Sequence, residues 1–283
     1  MGTLYLVATP LGNLEDITLR ALRILREATI IAAEDTRHTR KLLNHFAIAT
    51  PTISYHEHSG PAGTAAVLAA LAEGDVVLVS DAGTPAISDP GADLIQAALS
   101  AGFPVVPIPG PSAVITALIA SGLPTSEFTF LGFLPRRSQE RRALLLSVSL
   151  EPRTLVIYEA PHRLRACLDD LLTVLGDREA CLARELTKVH EQWLRGTLST
   201  LKARYDGQDE PRGEYTLVIA GASQASQSQM EDEPEALSLR ARDRLRELLA
   251  MGNGTRDAAA IVAHELGLPR REMYRLALDL AES

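Results

Sequence analysis

A short apolar segment that ends in an acid, a glycine and a proline is the clearest candidate for a binding site in this sequence. Residues 76–80 read Val-Val-Leu-Val-Ser, and Asp81, Gly83 and Thr84 follow closely. A β-branched apolar run of this length is typical of a strand buried on both faces of a parallel sheet. Ligands of open α/β sheets bind at the carboxyl ends of the strands. A carboxylate beside a glycine at such an end predicts a site for a small molecule that carries hydroxyl or amino groups.

Three further predicted strands end in clusters of ionisable or polar side chains. The clusters occupy residues 34–40, 158–163 and 184–188, and the last contains Lys188, one of only three lysines in the chain. Loops that collect such groups at strand ends often bind ligands. The structural alternatives are a helix cap at Asp35 and a plain ion pair within residues 184–188. The sequence leaves these alternatives open.

A run of arginines gives one stretch of the chain a strong local charge. Arg136, Arg137, Arg141 and Arg142 are offset only by Glu140. Such a run is typical of a solvated helix face, and it is also what a phosphate-contacting surface requires. The whole chain has a net charge of −8, which argues against nucleic-acid binding over the entire surface. Both interpretations remain open, and a nucleic-acid partner would be expected to make local contacts that involve these four arginines.

The order of the predicted elements indicates two α/β units followed by a helical module. Strands alternate with helices, as in parallel sheets covered by helices. The predicted strands are residues 4–8, 29–33, 76–80, 105–108, 128–133, 154–158 and 215–220, with short segments at 180–183 and 191–195; the predicted helices are residues 18–27, 64–73, 92–101, 112–121, 139–148, 162–175, 237–251, 255–266 and 270–281.

Composition shifts divide the chain into domains. Residues 222–236 are rich in Gln, Ser and charged side chains, so we predict a flexible linker there. Before it we predict an N-terminal α/β domain at residues 1–112 and a second α/β domain at 113–221. After it, three short helices with tight turns predict a small helix-turn-helix-like module at 237–283.

Composition also bears on the compartment and on metal binding. Cys167 and Cys181 are the only cysteines and are not clustered, so we expect reduced core residues rather than disulfide partners or zinc ligands. The histidines lack metal-ligand spacing, and we predict no metal site. The sequence starts without the pattern of a signal peptide, and no apolar run approaches the roughly 18 residues of a membrane span. We therefore expect a cytoplasmic protein.

Seven sequence blocks, in order, resemble the tetrapyrrole-methylase superfamily of S-adenosylmethionine-dependent methyltransferases. Within it the chain closely resembles the ribosomal RNA small-subunit methyltransferase I family, from Leu4 to Ala220 and again in the trailing helices. Any one block is weak, but seven in order are highly specific. The blocks are residues 9–18 (TPLGNLEDIT), 33–37 (AEDTR), 80–85 (SDAGTP), 109–113 (PGPSA), 132–135 (GFLP), 158–163 (YEAPHR) and 184–188 (RELTK).

The resemblance implies an activity, a cofactor and partners. The implied activity is S-adenosylmethionine-dependent 2′-O-methylation of a cytidine ribose in the decoding region of small-subunit (16S) rRNA, with the small ribosomal subunit as partner. Two α/β domains with the cofactor in the cleft between them, and a homodimer, are also implied. Members of the superfamily hold the cofactor mainly through loop backbones. The implied cofactor contacts, carried to matching positions, are Leu11, Ser80, Asp81, Thr84, Ser112, Ala113, Glu159 and Leu186.

The implied reaction assigns candidate catalytic residues. Methyl transfer to a ribose hydroxyl is an in-line displacement, so positioning supplies much of the rate. A base or a nearby cation helps to remove the hydroxyl proton. We expect Lys188, with Glu185, to lie near this hydroxyl, and Asp35 and Arg37 to position the nucleotide from across the cleft. His162 is a second candidate base.

Two alternative functions remain open from the sequence alone. One is a tetrapyrrole C-methyltransferase, although residues 9–13 lack the glycine-rich first loop usual in the small-molecule enzymes. The other is a ligand-sensing helix-turn-helix regulator. Residues 237–283 carry eight arginines against seven acidic residues, so this module is nearly neutral and is expected to bind nucleic acid weakly. A smaller departure is Arg212 before Gly213, where the family leads us to expect lysine.

Overall fold

The computed structural model describes residues 2–206, 211–223, 241–249, 251, 253–266 and 269–281, with backbone only at 264–266 and 281. These residues form two compact units, Met1–Gly221 and Ala222–Ser283. The larger unit contains two five-stranded sheets. No helix in the described ranges is long and apolar enough to cross a membrane.

The first sheet is entirely parallel, as the alternation of strands and helices predicted. Its strand order is β3-β2-β4-β1-β5, and each neighbouring pair is parallel. The central strand β4 is buried along its whole length, because its four apolar side chains meet helices on both faces of the sheet. The strands are β1 (Leu4–Val7), β2 (Ile30–Ala33), β3 (Thr52–Ser54), β4 (Val76–Val79) and β5 (Val105–Ile108).

Four helices accompany this sheet: α1 (Leu19–Glu27), α2 (Thr36–His45), α3 (Gly60–Glu73) and α4 (Ala92–Ser100). The hydroxyl of Thr18 caps α1 by accepting a hydrogen bond from the backbone N–H of Ala21, at 3.1 Å. Neither α2 nor β3 is predicted by the sequence pattern. The first turn of α2 is charged and its apolar face is short, with only Thr39, Leu42 and Leu43 buried. The other element, β3, is a three-residue strand at the edge of the sheet.

The second sheet is mixed, with strand order β6-β7-β10-β8-β9. Only β6 and β7 are parallel, whereas β10 runs antiparallel to both β7 and β8, and β8 antiparallel to β9. The start of β10 therefore lies at the same edge as the end of β7, where Tyr215 pairs with Glu159. The strands are β6 (Phe128–Phe133), β7 (Thr154–Glu159), β8 (Glu179–Arg184), β9 (Gln192–Thr197) and β10 (Tyr215–Ile219).

Helices cover both faces of this second sheet. Val114, Ala117 and Leu118 of α5 (Ala113–Ala120) pack on one face. The other face packs against α6 (Ser138–Ser147), α7 (Leu164–Leu175) and α8 (Leu198–Tyr205), of which α8 was not predicted. Cys167 and Cys181 are buried and not bonded to each other, as the sequence predicted.

Three helices make up most of the described part of the smaller unit. It contains α9, described over residues 241–249, α10 (Thr255–Leu266) and α11 (Arg270–Ala281). Apolar side chains of the three helices, among them Leu245, Val262 and Met273, form one core. The predicted bounds of α10 and α11 match the structure. Residues 224–240, which hold most of the predicted linker and the predicted start of α9, lie outside the described residues.

A buried ion pair joins α6 to α7. Asp170 accepts hydrogen bonds from Arg141 Nε at 2.7 Å and from Ser138 Oγ at 2.9 Å, and Arg142 pairs with its other oxygen. Burial alone would raise the pKa of Asp170, but these donors hold it below its ordinary value. The carboxylate therefore stays charged beside the buried Arg141.

Asp170→Asn should destabilise the protein by about 3–5 kcal/mol, because it leaves the Arg141 guanidinium buried without a countercharge. Chemical denaturation measures the loss. Asp169→Asn is the matched control, since its neighbouring carboxylate is exposed and pairs with Lys202 at the surface, where such pairs contribute about 0–1 kcal/mol. Equal effects of the two variants would contradict a structural role for the buried pair.

Candidate active site

The carboxyl ends of the first sheet meet the edge of the second sheet at a cavity of about 540 Å³. We call it the acidic cavity. Loops after β1, β2, β4 and β5 contribute one side, and the ends of β6 and β7 with the start of β10 contribute the other. Its lining residues are Leu11, Glu34, Asp81, Ala82, Gly83, Thr84, Ile87, Ser88, Asp89, Ser112, Ala113, Phe133, Tyr158, Glu159, Ala160, Pro161, His162, Glu214, Tyr215 and Thr216.

Carboxylates dominate the acidic cavity. It contains five acidic side chains, whereas no lysine or arginine is found among the described residues that line it. Burial, and then the charge of nearby Glu34, raise the pKa of Asp89 to about 6. Burial likewise raises the pKa of Glu34, and the charge of Asp81 adds to this effect. Because these carboxylates repel one another, the cavity favours a ligand that brings positive charge.

Glu159 contributes a buried carboxylate beside this cavity. Its side chain is fully buried, and Oε1 accepts a hydrogen bond from the backbone N–H of Ala160 at 2.8 Å and lies 3.1 Å from Arg163 Nε. Burial, and then the Glu159 carboxylate, raise the pKa of the Cys167 thiol in the core of the second sheet. The Glu159 carboxylate therefore lies against the protein interior, with its charge balanced by Arg163.

Backbone pairing holds three loops of the cavity together. Thr9 and Gly83 exchange two backbone hydrogen bonds of 2.9 Å, which ties the loop after β1 to the loop after β4. The hydroxyl of Thr84 donates to the carbonyl of Pro111 at 3.0 Å and adds the loop after β5. Gly83 has φ +76°, and a Cβ there would lie 3.1 Å from Leu11. A glycine is therefore required where the loops come closest.

A second cavity of about 510 Å³ adjoins the first. We call it the lysine cavity, after Lys41 and Lys188. The two cavities share Leu11, Asp81, Ala82 and Glu214. The lining residues of the lysine cavity are Thr9, Pro10, Leu11, Gly12, Leu14, His38, Thr39, Lys41, Leu42, Ser80, Asp81, Ala82, Lys188 and Glu214.

Lys188 is held at the shared wall by two carboxylates. Its Nζ donates to Glu185 Oε1 and to Glu214 Oε2, each at 2.9 Å. Burial would lower the pKa of Lys188, but hydrogen bonds to Glu214 and Glu185 raise it overall. Burial opposes ionisation of Glu185 as well, yet Lys188 lowers the pKa of that carboxyl. The site thus holds an ammonium ion that remains protonated at neutral pH.

The loop that carries Lys188 is conformationally strained and tied to the first sheet. Glu185 and Thr187 both have positive φ, at +53° and +64°, which costs non-glycine residues free energy. The hydroxyl of Thr187 accepts a hydrogen bond from the backbone N–H of Asn13 at 3.1 Å. A Cβ at Gly12 would lie 2.2 Å from Lys188 Cγ. Gly12 therefore makes room for the aliphatic stem of Lys188.

The predicted cofactor contacts fall into three groups. Six line the acidic cavity: Leu11, Asp81, Thr84, Ser112, Ala113 and Glu159. Ser80 is buried and lines the lysine cavity. Leu186 is buried among residues that pack around α5, and it lines neither cavity.

The predicted catalytic residues are divided by the structure. Lys188 lines the lysine cavity with Glu185 bound to it, and His162 is exposed and lines the acidic cavity. Asp35 caps α2 by accepting from the backbone N–H of Arg37 at 2.8 Å, and the two side chains pair with each other. Hydrogen bonds from Arg37 lower the pKa of Asp35. Asp35 and Arg37 line neither cavity, and the helix cap left open by the sequence is what the structure contains.

Three residues of the lysine cavity were not singled out from the sequence. His38 and Lys41 belong to α2, and their spacing of three residues places them on one face of that helix. Recognition of α2 as a helix would have found them. Glu214 precedes β10 rather than following a strand, and a search of strand carboxyl ends does not reach it.

The arginine run is only partly at the surface. Arg141 is buried and bonded to Asp170, so it is not available to contact RNA in this structure. The burial of Arg141 fits neither an RNA-contacting surface nor a solvated helix face. The prediction that Arg141 contacts RNA is therefore corrected. Arg136, Arg137 and Arg142 are exposed.

Within the described part of the chain, no group of three or more His, Cys, Asp or Glu side chains is arranged to hold a metal ion.

The match to known families defines the class of protein. Residues 3–202 match the family described as Tetrapyrrole (Corrin/Porphyrin) Methylases, and residues 235–281 match the one described as RsmI C-terminal HTH domain. Uroporphyrin-III-C-methyltransferase from Thermus thermophilus has the same fold, with a TM-score of 0.54 and 23% identity over 78% of this chain and 94% of that one. Diphthine synthase gives a TM-score of 0.62 at 16% identity, over 78% and 90%. The fold and its cleft are those of the tetrapyrrole methylases.

More similar relatives narrow the class. Ribosomal RNA small subunit methyltransferase I of Synechocystis sp. is 52% identical over 282 residues, which cover 99% of both chains. The proteins of that name from Bacillus subtilis and Escherichia coli O157:H7 are 42% and 45% identical, covering 97% and 98% of this chain and 93% and 95% of theirs. The chain belongs to the ribosomal RNA small subunit methyltransferase I family.

The contact between Gly12 and Lys188 can be tested as a double-mutant cycle. Gly12→Ala should destabilise the protein by about 1–3 kcal/mol, because the new methyl group overlaps Lys188 Cγ. In a Lys188→Ala background the same change should cost less than about 0.5 kcal/mol, since the overlapping atoms are gone. Denaturant unfolding of the four proteins gives the coupling energy. Additive effects would show that the two residues do not touch.

Asp89 should make stability depend on pH. Its folded pKa of about 6 exceeds the ordinary 3.8, so between these values the folded state binds a proton that the unfolded chain does not. The contribution of Asp89 to the free energy of unfolding should therefore rise as the pH falls from 7 to 4. Asp89→Asn should remove this component and stabilise the protein at pH 7–8 by about 1–2 kcal/mol, allowing for partial exposure.

The measurement is denaturant unfolding of the ligand-free protein from pH 4 to pH 8. Asp93→Asn, an exposed acid in the first turn of α4, controls for the change in net charge. A wild-type curve parallel to that of Asp89→Asn over this range would exclude the proposed proton uptake.

Proposed function

We propose that this protein transfers a methyl group from S-adenosylmethionine to the ribose 2′-hydroxyl of a cytidine in the decoding region of small-subunit (16S) rRNA. The observation that carries the proposal is the wall shared by the two cavities, with the Lys188 ammonium bound there by Glu214. Family membership supports S-adenosylmethionine-dependent methylation of small-subunit rRNA. The choice of a cytidine, of its ribose 2′-oxygen and of the decoding region is proposed in addition to what family membership supports.

The acidic cavity fits the cofactor. S-adenosylmethionine carries a sulfonium, an ammonium group and ribose hydroxyls, and the cavity offers five carboxylates. The two cavities together also account for seven of the eight implied contacts, with Leu186 next to Glu185 as the exception. When bound, S-adenosylmethionine supplies an activated methyl group: an oxygen–carbon bond forms as the carbon–sulfur bond breaks, the electron pair stays on sulfur, and the attacking hydroxyl gives up its proton.

The lysine cavity supplies the groups that act on the hydroxyl. His38 and Lys41 line it together with Lys188, and cationic side chains suit the phosphates beside a target nucleotide. A ribose hydroxyl is a very weak acid, so the Lys188 ammonium would stabilise the negative charge that develops on its oxygen. The neighbouring carboxylates of Glu185 and Glu214 would take up the proton. His162, on the acidic cavity alone, becomes the less favoured base.

This arrangement favours an oxygen nucleophile. A carbon nucleophile of a tetrapyrrole needs no ammonium to stabilise an oxyanion, and the small-molecule alternative leaves Lys188 without a role.

Asp35 and Arg37 line neither cavity. Their proposed role is therefore only to hold α2 in place. Asp35 donates its backbone N–H to Asp81 Oδ1 at 3.0 Å, which fixes the start of α2 against the shared wall.

Assembly and compartment are part of the proposal. Ile115 and Ile119 of α5 are exposed in the single chain, and exposed apolar side chains of this kind are ones that a homodimer would cover. The rRNA substrate supports a cytoplasmic location. The exposed Arg136, Arg137 and Arg142 remain proposed RNA contacts.

The test is transfer of radiolabelled methyl from S-adenosylmethionine to unmodified small ribosomal subunits and, separately, to naked rRNA. Label should appear on the ribose of a cytidine. Lys188→Met should lower kcat by about 10²–10³-fold, the usual effect of losing a group that stabilises developing charge. Cofactor affinity should be unchanged, because Lys188 does not line the acidic cavity.

Lys202→Met is the matched control, since Lys202 is an equally exposed lysine that pairs with Asp169 of α7 and with Asp206 just after α8. It should retain full activity. Label on a base, or no label despite measurable cofactor binding, would contradict the proposed reaction. Full activity of Lys188→Met would leave the reaction standing but remove Lys188 from it.

A further inference from the structure

The helical unit contains a basic cavity of its own. It has a volume of about 540 Å³ and is lined by Arg256, Ala259, Arg270, Arg271 and Tyr274. We call it the arginine pocket. Arg256 belongs to the first turn of α10, and Arg270 and Arg271 to the first turn of α11. Tyr274 follows one turn after Arg270 and is 41% exposed.

The three arginines differ from Arg244 and Arg246 of α9. Arg244 pairs with Glu247 at 2.8 Å, and Arg246 lies 3.3 Å from Asp243. Across the described residues, Arg256, Arg270 and Arg271 have no such ion pair. Acidic residues do occur in the same first turns, as Asp257 and Glu272, but both are exposed and neither lines the pocket. Among the side chains that the structure describes, three guanidinium groups therefore share one concave surface without a countercharge.

An anion with more than one charged group is what this arrangement would bind. Like charges gathered in one cavity repel each other, and an anion between them replaces that repulsion with attraction. Guanidinium groups match phosphate oxygens in a planar, two-point geometry. The first turns of α10 and α11 add backbone dipoles that favour negative charge. The Tyr274 ring offers a flat surface on which a base can stack.

We propose that the arginine pocket binds the phosphate backbone of small-subunit rRNA. The choice of RNA over an acidic protein rests on the aromatic wall beside the three arginines and on the rRNA substrate of the proposed function. The proposal goes beyond that function, since it holds whichever nucleotide is methylated. It differs from the expectation of weak binding, which rested on the nearly neutral total charge of residues 237–283, because three of their arginines lie together in one pocket.

Removal of the pocket arginines tests the proposal in the full chain. Arg256→Gln, Arg270→Gln and Arg271→Gln are combined, and binding to naked small-subunit rRNA is measured from 50 to 300 mM KCl. Affinity should fall at least about tenfold near 100 mM salt. The slope of log affinity against log salt should flatten by about 2–3, since each phosphate contact contributes roughly 0.7–0.9.

The matched control removes the same charge from α9 by combining Arg242→Gln, Arg244→Gln and Arg246→Gln. It should change affinity less than about threefold and leave most of the slope. Equal losses in the two triple variants would overturn the proposal in favour of a net-charge effect. Loss on assembled subunits without loss on naked rRNA would overturn it in favour of a ribosomal protein as partner.

A second measurement does not depend on the stability of a triple variant. A photoreactive phenylalanine placed at Tyr274 of the otherwise wild-type chain should crosslink to rRNA. The same group at Arg246 is the control and should crosslink less. Crosslinks from position 274 only to protein, or none, would overturn the proposal. Methyl transfer assayed on the same proteins reports the proposed function separately, because failure to methylate rRNA leaves the binding and crosslinking results intact.

Discussion

Lys188 joins the two α/β halves at the point where their cavities meet. Its stem packs against Gly12 of the first half, and its ammonium binds Glu185 and Glu214 of the second. The backbone of Asn13 donates to Thr187 in the same region. These contacts connect the loop after β1 to the loop after β8 beside the wall that the two cavities share. One cation thus serves both the geometry of the cleft and its charge balance.

The charge of the cleft follows from this arrangement. One side of the shared wall contains carboxylates that burial and mutual repulsion make harder to ionise, as the raised pKa values of Asp89 and Glu34 show. On the other side, Lys41 and Lys188 accompany the acids of the shared wall, and Lys188 is kept protonated by its partners. The two cavities therefore differ in charge, since among the described residues lysines line only the second one.

The sequence predicted the strand-end part of the site, because parallel strands bring their carboxyl ends to one edge and leave polar residues such as Asp81 and Glu159 there. It did not find Glu214, because β10 runs antiparallel and reaches the same edge with its first residue. It missed α2 because charged residues occupy its first turns. The sequence could not show that Arg141 is buried whereas Arg142 is exposed. Adjacent helical residues point about 100° apart, and only the position of Asp170 on α7 decides which of the two is buried. The errors at Glu214 and Arg141 share a cause: both depend on contacts between residues distant in the chain.

The two left-handed residues around Leu186 restrict how this protein can diverge. Positions 185 and 187 tolerate few side chains at their positive φ values, and each is also held by a side-chain contact with another loop. Amino-acid substitutions in the loop are therefore expected mainly at Val189 and His190, which are both exposed just beyond Lys188. Related enzymes that acquire new substrates would be expected to differ at these two positions while the conformation of the loop backbone stays the same.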